Sequence, residues 1–267
     1  MFKKLKLFIY LGVFALITVS CSEYEKVLKS NDTNAKLKMA NELFEEGKYS
    51  KANKLFEQVL PSYRGMPQAE RITFMMAESY YEMGDYLLAA YFYERFVKSY
   101  PESSKVEEAA YKQAYCYYLD SPRYTLDQEN TNKAISEMQK FINRYSDSEK
   151  EKEANEIIRE LRIKLEKKDF GVAQQYMKLE EYQAADIAYG NFISDFPDSD
   201  LREDAFYYKF ESLYMYAKNS FYTKQQERYT SAKTAFLVFE KRYPESEKMK
   251  KAKKYYAEVL EALENAS

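Results

Sequence analysis

Small and apolar residues recur along this chain with a helical period, and they do so in blocks. Ala40, Leu43 and Gly47 are followed by Tyr49, Ala52 and Phe56. Ala77, Tyr80 and Gly84 are followed by Tyr86, Ala89 and Tyr93, and Ala173 and Tyr176 by Tyr182, Ala185 and Tyr189. Residues three, four and seven apart share one helix face, so each block predicts two helices joined by a short turn. Gly47 and Gly84 stand where that turn calls for a left-handed residue, and Glu180 takes the place in the third block. Each second helix is predicted to stop at a recurring end. The ends are Phe96-Val-Lys-Ser-Tyr100-Pro101-Glu102-Ser103, Phe141-Ile-Asn-Arg-Tyr145-Ser146-Asp147-Ser148, Phe192-Ile-Ser-Asp-Phe196-Pro197-Asp198-Ser199 and Phe239-Glu-Lys-Arg-Tyr243-Pro244-Glu245-Ser246. Proline cannot continue a helix, and the serine after it is expected to start the next one, with acids such as Glu107 and Glu108 beyond.

Small, aromatic, Gly, aromatic, small, aromatic and Pro at these offsets form the pattern of the 34-residue tetratricopeptide repeat. The predicted fold is all-α, a superhelical array of about five tetratricopeptide-like helical hairpins. Its repeats are expected near 35–68, 69–102, 106–147, 149–198 and 201–246, with a C-terminal helix over 247–265. The Phe-to-Phe spacings are 45, 51 and 47 residues, so the repeats are not uniform. About eight extra residues fall in repeat three, around 121–128, and about ten in repeat five, around 220–228; insertions of this kind become loops or helix extensions. Residues 149–168 place Ile157, Leu161 and Leu165 on one face, which predicts a long helix running on toward Ala173.

The first residues break this pattern. Lys3, Lys4 and Lys6 precede an apolar run over 7–17, then Thr18, Val19, Ser20 and Cys21. This is the layout of a secretory signal over 1–20, and the run is too short to span a bilayer. A short membrane anchor or a buried helix is the plainer alternative. A cysteine at the cleavage point resembles a lipobox, with Thr18 in place of the usual leucine; acyl chains on Cys21 would hold the chain on a membrane through a tether over 21–34.

Composition narrows the chemistry. The 267 residues carry 41 Lys and Arg against 43 Asp and Glu, a net charge of −2, with 28 Tyr, six Gly, six Pro and no His. Scarce Gly and Pro suit an all-helical chain. No basic stripe points to nucleic acid. Without histidine neither a Ser-His-Asp nor a Cys-His arrangement is possible, and no Gly-rich loop cradles phosphate. Cys116 among tyrosines reads as a small core residue and not a metal ligand or disulfide partner. No enzyme, cofactor or metal is expected. In a tetratricopeptide array the first helices line a concave groove, and the register puts Asn41, Phe44, Arg71, Phe74, Glu78, Tyr81, Tyr111, Tyr115 and Tyr118 there. Tyrosine suits a surface that is sometimes wet and sometimes covered, so a peptide groove is expected. About half of these aromatics are instead assigned to core packing on burial preferences.

Taken together, Cys21-Ser-Glu-Tyr-Glu-Lys-Val-Leu-Lys-Ser30, the four Phe-x-x-x-Tyr-Pro-x-Ser ends and the helix Arg159-Glu-Leu-Arg-Ile-Lys-Leu-Glu-Lys-Lys168 running into Tyr182-x-Ala184-Ala185 resemble the BamD family, lipoproteins of the outer-membrane β-barrel assembly machine. The inserts at 121–128 and 224–228 look like its Bacteroidetes branch. The resemblance implies five repeats, no catalysis and an anchor in the outer membrane on its periplasmic face. It implies that C-terminal repeats dock on a BamA-like barrel protein and that N-terminal repeats receive unfolded outer-membrane proteins. The family's basic contact to BamA falls at Arg202 or, counting from Pro197, at Glu203. Another periplasmic tetratricopeptide adaptor, serving Tol-Pal or peptidoglycan synthesis, is the alternative.

Overall fold

The computed structural model describes residues 23–265, and these are helical throughout with no strand among them. A short helix over 23–29 (α1) precedes α2 (Thr33–Glu45), α3 (Tyr49–Val59), α4 (Pro67–Glu82), α5 (Tyr86–Ser99), α6 (Val106–Leu119) and α7 (Glu129–Arg144). Then follow α8 (Glu151–Lys178), α9 (Tyr182–Asp195), α10 (Arg202–Lys218), α11 (Tyr222–Arg242) and α12 (Met249–Asn265). The described residues divide into two compact units, the first running to Pro122 and resuming over 128–158, the second made of 123–127 and the residues from Arg159 on.

Local chemistry explains the hairpins. The small residues of the repeat pattern, among them Ala40, Ala52, Ala77, Ala89, Ala173 and Ala185, are fully buried, where the lack of a long side chain lets paired helices approach. Gly47 and Gly84 take left-handed backbone at φ 73° and 75°, and Glu180 takes it at 61°. The three turns share one hydrogen-bond pattern. The amide after each left-handed residue reaches back to the first helix: Lys48 to Leu43 at 2.8 Å, Asp85 to Tyr80 at 2.9 Å and Glu181 to Tyr176 at 3.0 Å. This satisfies carbonyls that a helix end leaves open. Second helices stop at Ser99, Arg144, Asp195 and Arg242, each just before the motif aromatic.

The two long repeats solve their insertions differently. In repeat three the extra residues form an irregular connection between α6 and α7. In repeat five they lengthen the helices themselves, so that α11 runs for 21 residues. The predicted long helix is α8, of 28 residues.

The serine of each helix end does not start the next helix. The N-cap residues are Lys105 before α6 and Leu201 before α10, and neither side chain caps. Each serine instead makes two bonds in a fixed pattern. Its oxygen accepts the amide two residues on, for Lys105, Lys150 and Leu201 at 3.1 Å and for Lys248 at 3.2 Å. Its hydroxyl donates to a glutamate on the first helix of its own repeat. The pairs are Ser103 to Glu70 at 2.6 Å, Ser148 to Glu107 at 2.5 Å, Ser199 to Glu166 at 2.7 Å and Ser246 to Glu203 at 2.6 Å. The partners lie 33, 41, 33 and 43 residues apart; the two longer closures are the repeats with insertions. A hydroxyl on a carboxylate is a charge-assisted bond, so the second to fifth repeats are each latched end to end.

The aromatic four residues after each latch glutamate lies one turn along the same face. Those residues are Phe74, Tyr111, Phe170 and Tyr207. Each meets the motif phenylalanine edge-on: Phe74 with Phe96, Tyr111 with Phe141, Phe170 with Phe192 and Tyr207 with Phe239, with ring centroids 5.3–5.8 Å apart. Such pairs contribute about 0.5–1.5 kcal/mol beyond their buried area.

Candidate functional site

In the N-terminal unit the first helices leave two adjoining cavities. One, of about 780 Å³, lies between α4, α6 and the start of α8 and is lined by Tyr81, Tyr111, Lys112 and Tyr115, with Glu107, Glu108, Phe141, Asp147, Glu149, Lys150 and Glu153 around them. The other, of about 570 Å³, lies between α2, α4 and α6 and is lined by Phe44, Glu45, Glu70, Arg71, Phe74, Glu78 and Lys105. Ser104 and Glu108 line both, which makes them one aromatic-floored groove.

Seven of the nine predicted groove residues line it. Phe44, Arg71, Phe74 and Glu78 face the smaller cavity, and Tyr81, Tyr111 and Tyr115 the larger. Tyr118 lines neither; its ring tilts against Tyr115 at 5.4 Å. Asn41 also lies outside both. Phe74 and Tyr111 are each 7% exposed and belong to the latch-aromatic column, so they form the floor and not the walls. Tyr111 stacks on Tyr115 at 5.6 Å with 19° between planes.

Sequence reasoning missed the lysines. Lys112 sits between Glu78 at 2.7 Å and Glu108 at 3.2 Å, with its ammonium 5.6 Å from the Tyr81 ring centre. Lys105 pairs with Glu108 at 3.3 Å and covers the Phe74 ring at 4.4 Å. Lys150 pairs with Glu153 at 2.8 Å and lies over Tyr111 at 5.2 Å. The Glu108–Lys112 spacing of four residues was a readable signal, but the reach of Lys112 across to Glu78 depends on two neighbouring hairpins.

Electrostatics follow this wiring. Burial alone would raise the Glu108 carboxyl, but Lys112 and Lys105 outweigh it and hold it below its ordinary value. Burial would depress the Lys112 ammonium, and Glu78 and Glu108 reverse that. An acid held low stabilises the fold above its unfolded pKa and loses that contribution as pH falls through the folded one. Tyr93 is buried and donates to Glu78 at 2.5 Å; burial and that carboxylate push its ionisation up. Burial, then Glu153, does the same to Tyr111. Cys116 is buried and free, and its thiol is pushed up to about 12 by burial, which makes it inert.

The predicted partner contact in the C-terminal unit is placed differently. Glu203 is the fourth latch carboxylate, already engaged by Ser246. Arg202 lies with its guanidinium 5.5 Å from the Phe206 ring centre. The sequence signal for the latch was the glutamate-aromatic pair four apart, at Glu70 and Phe74, Glu107 and Tyr111, Glu166 and Phe170, and Glu203 and Tyr207. Near the N-terminus, Tyr24 on α1 is buried in the first hairpin's core, with Lys51 over its ring at 5.2 Å. Cys21 lies outside the described residues. Among the described residues no three metal-ligating side chains gather into a site, and no helix is long and apolar enough to cross a membrane.

Two solved structures are similar at low identity. The TPR2AB-domain:pHSP90 complex of yeast Sti1 aligns at 13% identity and TM-score 0.37, covering 85% of this chain and 98% of that one. A putative kinesin light chain from Podospora anserina with nearly identical TPR-like repeats aligns at 11% and 0.32, covering 80% and 96%. Likeness at this level adds nothing to the assignment. No curated protein matches by sequence. The model of the family described as YfiO, outer membrane lipoprotein, matches residues 30–221, more than half of the chain and most of its helices. The chain therefore belongs to the YfiO family of outer-membrane lipoproteins, the BamD family.

Proposed function

We propose that this protein is a non-catalytic scaffold of outer-membrane β-barrel assembly. Cleavage after residue 20 and acylation of Cys21 anchor it to the periplasmic face of the outer membrane. Its N-terminal repeats receive unfolded outer-membrane proteins, and its C-terminal repeats dock on a BamA-like barrel protein. The family match supports the setting. The observation that carries the receiving role is the groove itself, two adjoining cavities floored by Phe74 and Tyr111 and walled by the half-buried Tyr81 and Tyr115. Rings of this kind bury apolar area while a hydroxyl stays available to the bound chain. With Glu203 committed to a latch, Arg202 is the better-placed of the two expected residues for the docking face.

The test is binding of a labelled peptide carrying the last residues of an outer-membrane barrel protein, ending in an aromatic. Tyr115→Ala and Tyr81→Ala should each weaken binding about tenfold, as a lost interface anchor does, while lowering Tm by only a few degrees. Unchanged affinity alongside a large fall in Tm would make these residues core and remove the groove from the proposal.

A further inference from the structure

We propose that the groove selects segments in which aromatic side chains alternate with lysine or arginine, and that it disfavours acidic segments and a free C-terminal carboxylate. This rests on the groove being the receiving site and names the chemistry of what it receives.

Charge complementarity carries the inference. Eight carboxylates but only four cations line the two cavities. Three of those cations are already engaged inside the groove: Lys112 by Glu78 and Glu108, Lys105 by Glu108, and Lys150 by Glu153. At each of these three lysines an incoming carboxylate would have to displace a resident one, which leaves Arg71 in the smaller cavity as its one ready partner against eight carboxylates. An incoming ammonium or guanidinium meets the opposite situation. Glu45 at one end and Asp147 and Glu149 at the other are exposed, so the surplus negative charge lies where a chain would enter and leave. A concave site lined by one sign of charge focuses its field and concentrates ligands of the other sign.

The protein's own lysines show how a cation is seated. Lys105, Lys112 and Lys150 each hold an ammonium within 6 Å of a groove ring, on Phe74, Tyr81 and Tyr111. Tyr115, stacked on Tyr111, offers the next ring of the row. In a strand successive side chains point to opposite sides, so an extended segment can place aromatics on the floor and cations toward the rims.

The experiment uses the intact chain and three fluorescein-labelled peptides sharing one aromatic skeleton, with lysine, serine or glutamate at the alternate positions. Each is made as free acid and as amide, and anisotropy is read at low and high salt. The lysine peptide should bind on the order of tenfold more tightly than the glutamate peptide, with serine between and the amide no weaker than the acid. The spread should shrink at high salt. In the double variant Asp147→Lys with Glu149→Lys, both at exposed positions outside the latch, the lysine preference should fall or reverse without a change in Tm. Equal binding of all three peptides, preference for glutamate or for the free acid, or an undiminished lysine preference in the double variant would overturn the charge proposal and leave the groove standing. Binding of none would overturn the groove reading and this inference with it.

Discussion

The two units use the same repeat, yet one ends up with an open groove and the other with a packed aromatic cluster. The difference can be followed to one position. Nine residues beyond the motif serine stands Lys112 in the N-terminal unit and Tyr255 in the C-terminal one. The aromatic facing it, eleven residues past the latch glutamate, is Tyr81 in the first case and Tyr214 in the second. Lys112 passes its ammonium over Tyr81 and leaves that ring half-buried beside a cavity. Tyr255 stacks flat on Tyr214 at 4.6 Å, and Tyr214 is only 1% exposed. The next residue, Tyr256, stacks on Phe236 at 4.0 Å. The charge that Lys112 supplies to Glu78 comes instead from Lys251, which reaches the buried Glu211 at 2.8 Å. Between these two repeats, the open and the packed outcome differ in what the next first helix brings to that place, a lysine in one and a tyrosine in the other.

Truncation of the two facing tyrosines tests the contrast most severely. Tyr214→Ala should cost about 3–5 kcal/mol in urea unfolding, as loss of a fully buried ring does. Tyr81→Ala should cost less, about 1 kcal/mol, because its ring is only partly buried and borders a cavity. Equal costs would mean that the cavity beside Tyr81 does not relieve its packing, and the contrast would collapse.

The latch should be indifferent to the contrast. Ser103→Ala in one unit and Ser246→Ala in the other each remove one hydroxyl-carboxylate bond and should each cost about 1 kcal/mol. A negligible cost in one unit alone would show that its hairpin is held shut by packing and not by the latch.

The turn at Glu180 gives the smallest effect. A side chain in left-handed backbone is strained, but glycine there is freer in the unfolded chain, so the two terms partly offset. Glu180→Gly should raise stability by a few tenths to about 1 kcal/mol, seen as a small rise in Tm. Gly84→Ala, the reverse change in the other unit, should lower it by a similar amount, and a neutral result at both would make the turns equivalent.

Much of this architecture was legible in advance because it depends on local rules. The Ala and aromatic spacings marked the hairpins, Gly47 and Gly84 marked their turns, and the Tyr-Pro pairs marked the stops. The uneven spacing of the four ends located both insertions, although it could not say that one would be a loop and the other a longer helix. The groove was legible as a row of first-helix residues and less so as a surface. Phe74 and Tyr111 were read as groove positions, and they are floor, pinned edge-on by Phe96 and Phe141. Glu203 was read as a contact for a partner, and it is latched to Ser246.

The sequence by itself determined the helices, their turns and stops and the order of the hairpins, because propensity, periodicity and backbone restriction act within a few residues. It also determined the family, because those local marks recur at set offsets along the chain. The tertiary structure alone decided which aromatics became core and which stayed open, and which carboxylates were already engaged. Those outcomes depend on side chains brought together from far along the chain, Glu70 with Ser103 across 33 residues and Tyr214 with Glu258 across 44. Burial and charge pairing are settled only when each repeat closes on itself and packs on its neighbour, and rules that act within a few residues do not contain them.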